Sequence, residues 1–238
     1  MSKLLLDADV LCYRAAFSCS KPEHTVRDAV DKVDELINHI LDFLTKDDPF
    51  ITQNEDYQLY LTGKGNFRHE VAKTYKMNRQ GTDKPQYHTE VRQRVIDYWG
   101  AIVSEGEEAD DLIAIEATRL KGDCVIVSVD KDFKTVECML YNPSVGSFEQ
   151  ITKLDACYYF YLQCLTGDRV DNVPGIYGVG PKKAQAILKD LKDEDSMYNA
   201  VLAAYNGNVE EMHINAKLLW LRRYVGEIWD GPGFFRTA

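Results

Sequence analysis

The chain has 238 residues, of which 45% are hydrophobic, and a formal net charge of −10 at pH 7. This length and composition predict one large soluble α/β domain, or a domain with a lobe, that is long enough for a full core. No apolar run approaches the roughly 18 residues that a transmembrane helix needs. The start, MSKLLLDADVL, becomes acidic too soon for a signal peptide. Because the six cysteines include no CxxC pair, we expect reduced thiols in a cytoplasm and no zinc site.

Strand and helix patterns then alternate along the chain. Short apolar runs predict strands at 3–7, 56–62, 101–105 and 124–130, and a strand, an Asn-Pro turn and a return strand over 139–152. Apolar residues at helical spacing predict helices over 8–17, 25–45, 87–99, 108–121 and 153–167. This alternation predicts a mainly parallel, doubly wound sheet with helices on both faces.

Acidic residues recur where the predicted strands end or the next helices begin, and again in a Gly-rich segment near the C-terminal part of the chain. They are Asp7, Glu108, Asp110, Asp111, Asp130, Asp132, Asp168 and Asp171. The carboxyl ends of parallel strands meet at one edge of a sheet, so we expect these side chains to converge there. Carboxylates that lie together repel one another unless hard cations neutralise them, which favours a site where two Mg²⁺ or Mn²⁺ ions assist phosphodiester cleavage.

A basic strip accompanies these acids in spite of the negative net charge. Residues 64–94 contain eight Lys or Arg and three acids, which gives a local charge of 8 − 3 = +5. An acidic metal centre beside a basic strip is typical of proteins that handle phosphates, although a strip that stood alone would be an ordinary solvated face. Residues 64–86 are poor in large apolar side chains, so we expect them to be poorly ordered without DNA.

The character of the sequence changes after residue 166. Five Gly or Pro residues lie between 174 and 181, and Pro181 suits the first position of a helix. Two short helices joined by a Gly-rich hairpin would present backbone N–H groups to a DNA phosphate, with an ordinary packing corner as the alternative. The tail 230–238 is either mobile or a docking segment. Residues 191–225 predict further helices with the core residues Leu218, Leu219, Leu221 and Tyr224.

Five motifs, in this order, resemble those of the 5′-nucleases: LLLDADVLCYRAAF, FRHEVAKTYKMNR, GEEADDLIA, VSVDKDFKT and LTGDRVDNVPGIYGVGPKKA. That family includes the 5′→3′ exonuclease domain of bacterial DNA polymerase I, phage 5′-exonucleases and flap endonucleases. The resemblance implies a PIN-like α/β nuclease core at 1–165, including a basic helical arch at 64–86. It also implies a helix-hairpin-helix region at 166–238 packed on that core, and a stand-alone enzyme in a bacterial or phage-infected cytoplasm.

The resemblance also assigns roles to individual residues. The first metal site would consist of Asp7, Asp110 and Asp130, with Glu108 acting close by. The second would consist of Asp132, Asp168 and Asp171, while Asp111 matches an extra acid of bacterial and phage members. Lys76 and Arg79 would clamp the scissile phosphate as catalytic residues. The implied DNA contacts are Tyr13, Arg14, Arg68, Tyr75, Lys76, Arg79, Gly175, Gly178, Gly180, Lys182 and Lys183, with K⁺ on the hairpin carbonyls.

These roles imply a monomeric, Mg²⁺-dependent 5′→3′ exonuclease or flap endonuclease acting on 5′ ends, flaps or RNA primers. Two rival functions stay open: a catalytically weakened, structure-specific DNA-binding member of the family, and a ribonuclease of the related small acid-cluster fold, which lacks the Gly hairpin. Two residues have plainer alternatives. Asp111 suits a first-turn acid that stabilises a helix dipole, and Tyr13 suits a core aromatic.

The sequence departs from the family pattern at the end of the second strand. Thr62-Gly63 stands there in place of the family's aspartate, and the nearest upstream acid is Asp56. Water, Thr62 or Asp9 could complete the first metal site, although Asp9 also suits the N-cap of the first helix. We expect Gly63 to adopt a positive φ at this corner, and Gly63→Asp or Thr62→Asp to tighten metal binding.

Overall fold

The computed structural model describes residues 3–46, 57–79, 81 and 83–234. Six strands lie in those ranges: β1 Lys3–Asp7, β2 Tyr57–Lys64, β3 Ile102–Glu105, β4 Cys124–Val127, β5 Cys138–Asn142 and β6 Ser147–Ile151. The helices there are α1 Ala8–Ser18, α2 Val26–Thr45, α3 Arg68–Val71, α4 His88–Asp97, α5 Ala109–Arg119, α6 Lys153–Thr166, α7 Pro181–Ile187, α8 Glu194–Ala204 and α9 Val209–Leu219. Short 3₁₀ turns cover Met77–Arg79 and Lys131–Thr135.

The strands form one sheet in the order β3-β2-β1-β4-β5-β6. Strands β1 to β5 pair in parallel, and β6 pairs antiparallel with β5. The strand order reverses beside β1, because β2 and β3 lie on one side of it and β4 and β5 on the other. Ligands of such sheets bind outside the carboxyl ends of the strands at this reversal. The predicted doubly wound, mainly parallel sheet is confirmed.

Alternate residues of β1 pack into two separate cores. Leu4 and Leu6 contact the layer of α1, α2 and α4, whereas Leu5 contacts the layer of α5 and α6. All three leucines are at most 1% exposed. Successive side chains of a strand point to opposite faces, so helices on both faces account for the uninterrupted apolar run. Each buried leucine stabilises the fold by about 1.5–3 kcal/mol, which holds the strand end at Asp7 in place.

Capping residues fix where the outer helices begin and end. Thr25 precedes α2 and Thr152 precedes α6, and each exchanges hydrogen bonds with an aspartate three residues on. Gly167, with a φ of 67°, ends α6 as the sequence predicted. These caps fix both ends of α6, so the Gly-rich segment begins at a defined position.

The basic segment 64–86 differs from the expected helical arch. It contains only the four-residue α3 and the three-residue 3₁₀ turn among its described residues, and Gln80 and Thr82 lie outside them. The expectation that little core holds this segment is wrong, because Arg68 is 1% and Tyr75 2% exposed. Its order in the absence of DNA stays a prediction.

The C-terminal part packs on α6. The Gly-rich hairpin is preceded by the 14-residue α6 and followed by the seven-residue α7, so the predicted pair of short helices is wrong for the first member. Tyr224 is 63% exposed and not a core residue. The tail packs on the core as far as Phe234, whose ring centroid lies 5.6 Å from that of Phe160; residues 235–238 lie outside the described part. The buried residues predicted correctly here are Leu218, Leu219 and Leu221.

All six cysteines are buried free thiols. Burial raises the pKa of the Cys12 and Cys124 thiols to about 12, so both stay protonated at neutral pH. None of the helices within 3–46, 57–79 and 83–234 is both long and apolar enough to cross a membrane.

Candidate metal centre and nucleic-acid surface

A cavity of about 1160 Å³ opens at the carboxyl edge of the sheet, beside the ends of β1 and β4. Six of the eight acids predicted to converge line this cavity, and the other two, Asp111 and Asp168, do not. The strand ends thus bring acids from distant parts of the sequence together, as parallel topology requires. The six acids are Asp7, Glu108, Asp110, Asp130, Asp132 and Asp171.

Asp7 is the last residue of β1, and it is 4% exposed. Ser128 donates a hydrogen bond of 2.8 Å to its Oδ2. Burial, together with repulsion from Asp9 and Asp130, nevertheless raises the pKa of Asp7 to about 7. One neutral hydroxyl therefore does not offset the cost of ionising Asp7 among other acids.

Two more cavity acids are in the same situation. Asp110 lies in the first turn of α5, and no hydrogen bond or ion pair within the described residues engages its carboxylate. Burial and repulsion from Asp7 and Asp130 raise the pKa of Asp110 well above its usual range. Asp132 accepts a hydrogen bond of 2.6 Å from Gln163, yet burial and neighbouring aspartates raise its pKa to about 7. The cavity thus holds three carboxylates whose ionised forms lack a neutralising partner.

Hard divalent cations fit this set of donors. Carboxylate oxygens are the ligands that Mg²⁺ and Mn²⁺ prefer, and a cation would relieve the repulsion among Asp7, Asp110 and Asp132. The present positions are not a finished site. In the part of the chain that the structure describes, no three His, Cys, Asp or Glu side chains are already arranged to hold a metal ion. The ligand roles of these acids remain predictions.

Two cations of the basic segment reach the same cavity. Lys76 Nζ forms an ion pair with Glu108 and lies 3.5 Å from Asp171 Oδ2. Arg79 Nη2 lies 2.5 Å from Asp171 Oδ1. Burial opposes ionisation of Glu108, but Lys76, Arg68 and Tyr75 together outweigh it and lower the pKa of that carboxyl. The two residues expected to clamp a phosphate therefore neutralise the near side of the cavity in this structure.

The hydroxyl of Tyr75 contacts the same two acids, Glu108 and Asp171. Its hydroxyl oxygen lies 2.9 Å from Glu108 Oε2 and 3.0 Å from Asp171 Oδ2. A phenol has one proton to donate, so it serves one of these carboxylates at a time. The predicted DNA contact of Tyr75 is wrong, because the side chain is 2% exposed. Tyr75 instead holds Glu108 and Asp171 side by side.

Arg68 and Asp111 form a buried ion pair away from the cavity. Arg68 Nη1 and Nη2 donate to the two carboxylate oxygens of Asp111 at 2.6 and 2.8 Å, and the two residues are 1% and 0% exposed. Burial opposes ionisation of Asp111, but the charge and hydrogen bonds of Arg68, with backbone N–H groups, together lower the pKa of that carboxyl. This geometry contradicts both predictions for the pair. Both oxygens of Asp111 accept hydrogen bonds from Arg68, and Arg68 is too deeply buried to contact DNA.

Asp168 is engaged by the chain around it. Its Oδ1 accepts a hydrogen bond of 2.7 Å from the N–H of Val170, and Lys131 Nζ donates to Oδ2 at 2.6 Å. Its backbone exchanges two hydrogen bonds with Val173, which closes the loop 168–173. Burial opposes ionisation, but Lys131 and the loop N–H groups lower the pKa of Asp168. A metal-ligand role for Asp168, which stays a prediction, therefore requires Lys131 to move aside.

Two asparagines that the sequence did not single out attach the basic segment to this loop. Asn78 Nδ2 donates to the carbonyl oxygens of Arg169 and Val170 at 3.1 and 3.3 Å. Asn172 Nδ2 donates to the carbonyl oxygen of Thr74 at 2.7 Å. Polar loop residues carry no periodic signal, so only the fold reveals this connection. It places Lys76 and Arg79 above the acids.

The carboxylate of Asp9, in α1, lies at the Thr62-Gly63 corner near the end of β2. Asp9 is not the N-cap of α1, a position that Asp7 occupies. Asp9 Oδ2 accepts a hydrogen bond of 2.8 Å from the N–H of Thr62, and Oδ1 accepts one of 2.9 Å from Arg92 Nη1. Arg92 also donates to the carbonyl oxygen of Thr62. The hydroxyl of Thr62 accepts from the N–H of Ala109 at 3.0 Å, which fixes the start of α5.

Gly63 is required at this corner for a reason other than its φ. Its φ lies outside the positive range expected from the sequence. A Cβ on Gly63 would lie 1.8 Å from the carbonyl oxygen of Ser104 on the neighbouring strand. The pairing of β2 with β3 shifts register between Leu61 and Lys64, which brings the two backbones this close. The expectation that Gly63→Asp would restore a metal ligand is therefore wrong on steric grounds.

Tyr13 and Arg14 lie on the rim of the cavity. Both line it, and Tyr13 is 38% exposed, so its alternative reading as a core aromatic is wrong. The His88 ring lies 4.4 Å from the Tyr13 ring and supports one side of it. An exposed aromatic on the rim is available for stacking against a base, which stays a prediction.

The Gly-rich hairpin divides its glycines between two tasks. Gly178 and Gly180 are exposed, and a Cβ at either position would meet nothing within 4 Å. Lys183 Nζ donates to the carbonyl oxygen of Gly178 at 2.9 Å, and Lys182 is exposed beside it. Gly175 is buried, with a φ of 62°, and a Cβ there would lie 2.3 Å from the nitrogen of Gly167. The predicted DNA contact of Gly175 is wrong, because this glycine allows two backbone segments to touch.

Comparison with known proteins matches residues 2–152 to a family model described as 5′-3′ exonuclease, N-terminal resolvase-like domain. DNA polymerase I of Rhizobium leguminosarum is 34% identical over 151 residues, which cover 55% of this chain and 14% of that protein. The flap endonuclease Xni of Vibrio campbellii is 31% identical over 175 residues, which cover 64% of this chain and 65% of that protein. The chain thus spans less than two thirds of the length of either relative.

Solved structures share the fold at lower sequence identity. The T5 5′-exonuclease with bound divalent metal ions (zinc) superposes with a TM-score of 0.70 at 19% identity, and the match covers 92% of this chain and 89% of the other. The T5 D15 flap endonuclease, in a pseudo-enzyme-product complex with DNA and metal ions, superposes with a TM-score of 0.61 at 18% identity. That match covers the same shares of the two chains. These likenesses show a common α/β architecture.

Proposed function

We propose that this chain, which belongs to the family of 5′-3′ exonucleases with an N-terminal resolvase-like domain, is a Mg²⁺-dependent 5′→3′ exonuclease or flap endonuclease. The observation that carries this proposal is the cavity at the strand reversal. Asp7, Asp110 and Asp132 line it without an ion pair among the described residues, and Lys76 and Arg79 line it as well. Acids that raise one another's pKa and cations that face the same space suit a phosphate held between metal ions and basic side chains.

The acids divide by their surroundings. Asp7, Asp110 and Asp130 suit a first ion with Glu108 close by, and the second ion suits Asp132 and Asp171, with Asp168 joining once Lys131 leaves it. When bound, two such ions activate water and stabilise the leaving oxygen of a phosphodiester. The requirement for two ions, and for Mg²⁺ rather than Mn²⁺, belongs to the proposal. Asp111 is left out of it, since Arg68 engages both of its oxygens.

The basic segment positions the substrate. Lys76 and Arg79 now bind Glu108 and Asp171, and a scissile phosphate would compete for the same cations. Their positive charge would then stabilise charge that develops on the phosphate oxygens. Tyr13 on the rim would stack on the terminal base, with Arg14 beside it on the backbone.

The hairpin offers a second contact surface on the same substrate. The exposed Gly178 and Gly180 leave room for a phosphate to approach the backbone, and Lys182 and Lys183 supply positive charge beside it. A K⁺ ion on the hairpin carbonyls belongs to this proposal. A duplex held there would place its 5′ end, flap or RNA primer at the acid cavity of a monomer.

Incubation of the chain with 5′-labelled duplex and flap DNA, in Mg²⁺, Mn²⁺ or EDTA, tests the function. We expect release of short 5′ products that EDTA abolishes. Asp130→Asn should abolish cleavage and leave unfolding and DNA binding nearly unchanged, because it removes a ligand and keeps the shape. Asp34→Asn is the matched control, since Asp34 lies in an ion pair with Arg94 outside the cavity. Full activity of Asp130→Asn, or of the wild type in EDTA, would rule out the metal-dependent function.

A second function is favoured by one observation, the loss of a carboxylate from the end of β2. A family member that lacks this acid would bind flaps or duplex ends without cutting them. The same assay separates the two functions, because such a protein retards flap DNA in a gel but yields no product at any metal concentration.

A further inference from the structure

Resting on the proposed function, we infer that Asp9 supplies the negative charge that the end of β2 lacks, so that the acid of the second strand has moved to the first helix. The sequence shows that a carboxylate is missing there, because Thr62-Gly63 provides none at that corner. The structure shows what fills the place. Asp9 reaches across from α1 and binds the N–H of Thr62 itself.

The position of Asp9 is that of a strand-end acid. β1 and β2 are parallel neighbours, and Asp7, the last residue of β1, pairs with Tyr60, so the chain two residues after Asp7 lies near Thr62. Asp9 lines the cavity together with Asp7 and Asp110, and its side chain is 24% exposed.

The carboxylate of Asp9 has acceptor sites that no hydrogen bond from the described residues uses. Each oxygen of Asp9 accepts one hydrogen bond, from Arg92 at Oδ1 and from Thr62 at Oδ2. An ionised carboxylate has about four acceptor sites, so two remain for a cation or for water on a cation. Arg92 fixes the position of the Asp9 carboxylate and does not bury it, since both residues line the cavity.

The charge of Asp9 already has one partner within the protein. Arg92 Nη1 pairs with Oδ1 at 2.9 Å, so a charged Asp9 also suits a structural ion pair. A cation in the cavity would share this carboxylate with Arg92, whereas a purely structural Asp9 could be replaced without a change in metal affinity. Thr62 supplies no charge at this corner, since its hydroxyl accepts the N–H of Ala109.

Mn²⁺ binding to the full chain without DNA, followed by the electron paramagnetic resonance of the free ion, tests the inference apart from activity. Asp9→Asn should raise the dissociation constant about 10-fold, within the range typical of groups that support a metal site. Asp9→Asn with Thr62→Asp should restore most of the affinity, because the carboxylate returns to the neighbouring backbone position. Asp34→Asn, which breaks a comparable α2–α4 ion pair outside the cavity, should bind Mn²⁺ as the wild type does.

The outcomes separate this inference from the proposed function. Wild-type Mn²⁺ affinity in Asp9→Asn, with affinity lost in Asp130→Asn, would overturn the role of Asp9 and leave the metal centre standing. Wild-type affinity in both variants would overturn both. If Asp9→Asn does not fold, the single variant Thr62→Asp provides the test. Because Asp9 already supplies a carboxylate at the end of β2, Thr62→Asp should not tighten Mn²⁺ binding. A gain of 10-fold or more would show that the place was empty and the inference wrong.

Discussion

The guanidinium of Arg68 and the carboxylate of Asp111 form a two-point ion pair that water does not reach. Two further N–H groups of Arg68 donate to the carbonyl oxygens of Leu218 and Trp220, at 2.9 and 2.6 Å. Asp111 also accepts from the N–H of Arg222 at 3.2 Å. The pair therefore joins the start of the basic segment, the first turn of α5 and the chain after α9 at one buried point.

Breaking this pair from either side should destabilise the fold strongly. Removing one partner leaves an uncompensated buried charge or unsatisfied donors, so Arg68→Met and Asp111→Asn should each lower the free energy of unfolding by about 3–5 kcal/mol. Urea unfolding followed by circular dichroism measures the change. The double variant Arg68→Met with Asp111→Asn should lose less stability than the sum of the two single changes.

Arg119→Met is the control for that series. Arg119 pairs with Glu116 on the exposed side of the same helix, and such pairs contribute about 1 kcal/mol or less. If Asp111→Asn unfolded at the wild-type urea concentration but lost metal binding, Asp111 would be a ligand after all.

The acids of the cavity could be predicted from the sequence because two simple rules determine where they lie. Asp7 and Asp130 follow apolar runs that could only be strands, and parallel topology sends the ends of such strands to one edge. Asp110 follows from the helix that comes next. Its neighbour Asp111 points about 100° away around the same helix. Its partner Arg68 lies 43 residues away, so its burial required the tertiary structure.

The basic segment shows why composition alone was insufficient. A stretch rich in Lys and Arg looks solvated, and nothing local marks Arg68 and Tyr75 as its two buried anchors. Asp9 was similarly ambiguous, since a first-turn acid suits many helices. Only the parallel pairing of β1 with β2 shows that its carboxylate meets Thr62.

Gly63→Ala should destabilise the chain by about 1–3 kcal/mol or more, because the added Cβ must push β2 away from Ser104. That movement would also lengthen the hydrogen bond of 3.0 Å from the N–H of Gly63 to Ser104 Oγ. Thermal unfolding gives the comparison. Gly180→Ala is the matched control, since Gly180 has ordinary extended backbone and open space, and should change stability by about 1 kcal/mol or less. Equal stability of both variants would mean that β2 and β3 do not approach this closely.

The ion pairs of Glu116 predict a specific acid sensitivity. Hydrogen bonds from Arg119, followed by Lys3, lower the pKa of Glu116 to about 2, against an unfolded value of about 4.3. A lowered folded pKa means stability that is present above about pH 4.3 and is lost as the pH falls toward 2. The stability difference between wild type and Glu116→Gln, about 1 kcal/mol or less, should be constant from pH 7 to 5 and shrink below pH 4.

Urea unfolding at pH 7, 5, 4 and 3 would measure that difference. Repeating the pair of measurements in an Arg119→Met background removes the first-named cause, so the difference and its pH dependence should both become smaller. A difference that grew as the pH fell would show that Glu116 is not stabilised in its ionised form.

Lys76 should matter for turnover and not for metal loading. Its ammonium is paired with Glu108 and lies 3.5 Å from Asp171, on the same carboxylates that face the cavity. Lys76→Met removes a cation that competes with a metal ion for those acids, so Mn²⁺ should bind at least as tightly as in the wild type. It also removes charge from the phosphate clamp, so kcat on a flap substrate should fall about 100-fold or more, with a smaller change in KM. Lys73→Met, an exposed lysine of the same segment, should leave both quantities unchanged. Unaltered kcat in Lys76→Met, or weakened Mn²⁺ binding, would mean that this lysine stabilises the acids and does not act on the substrate.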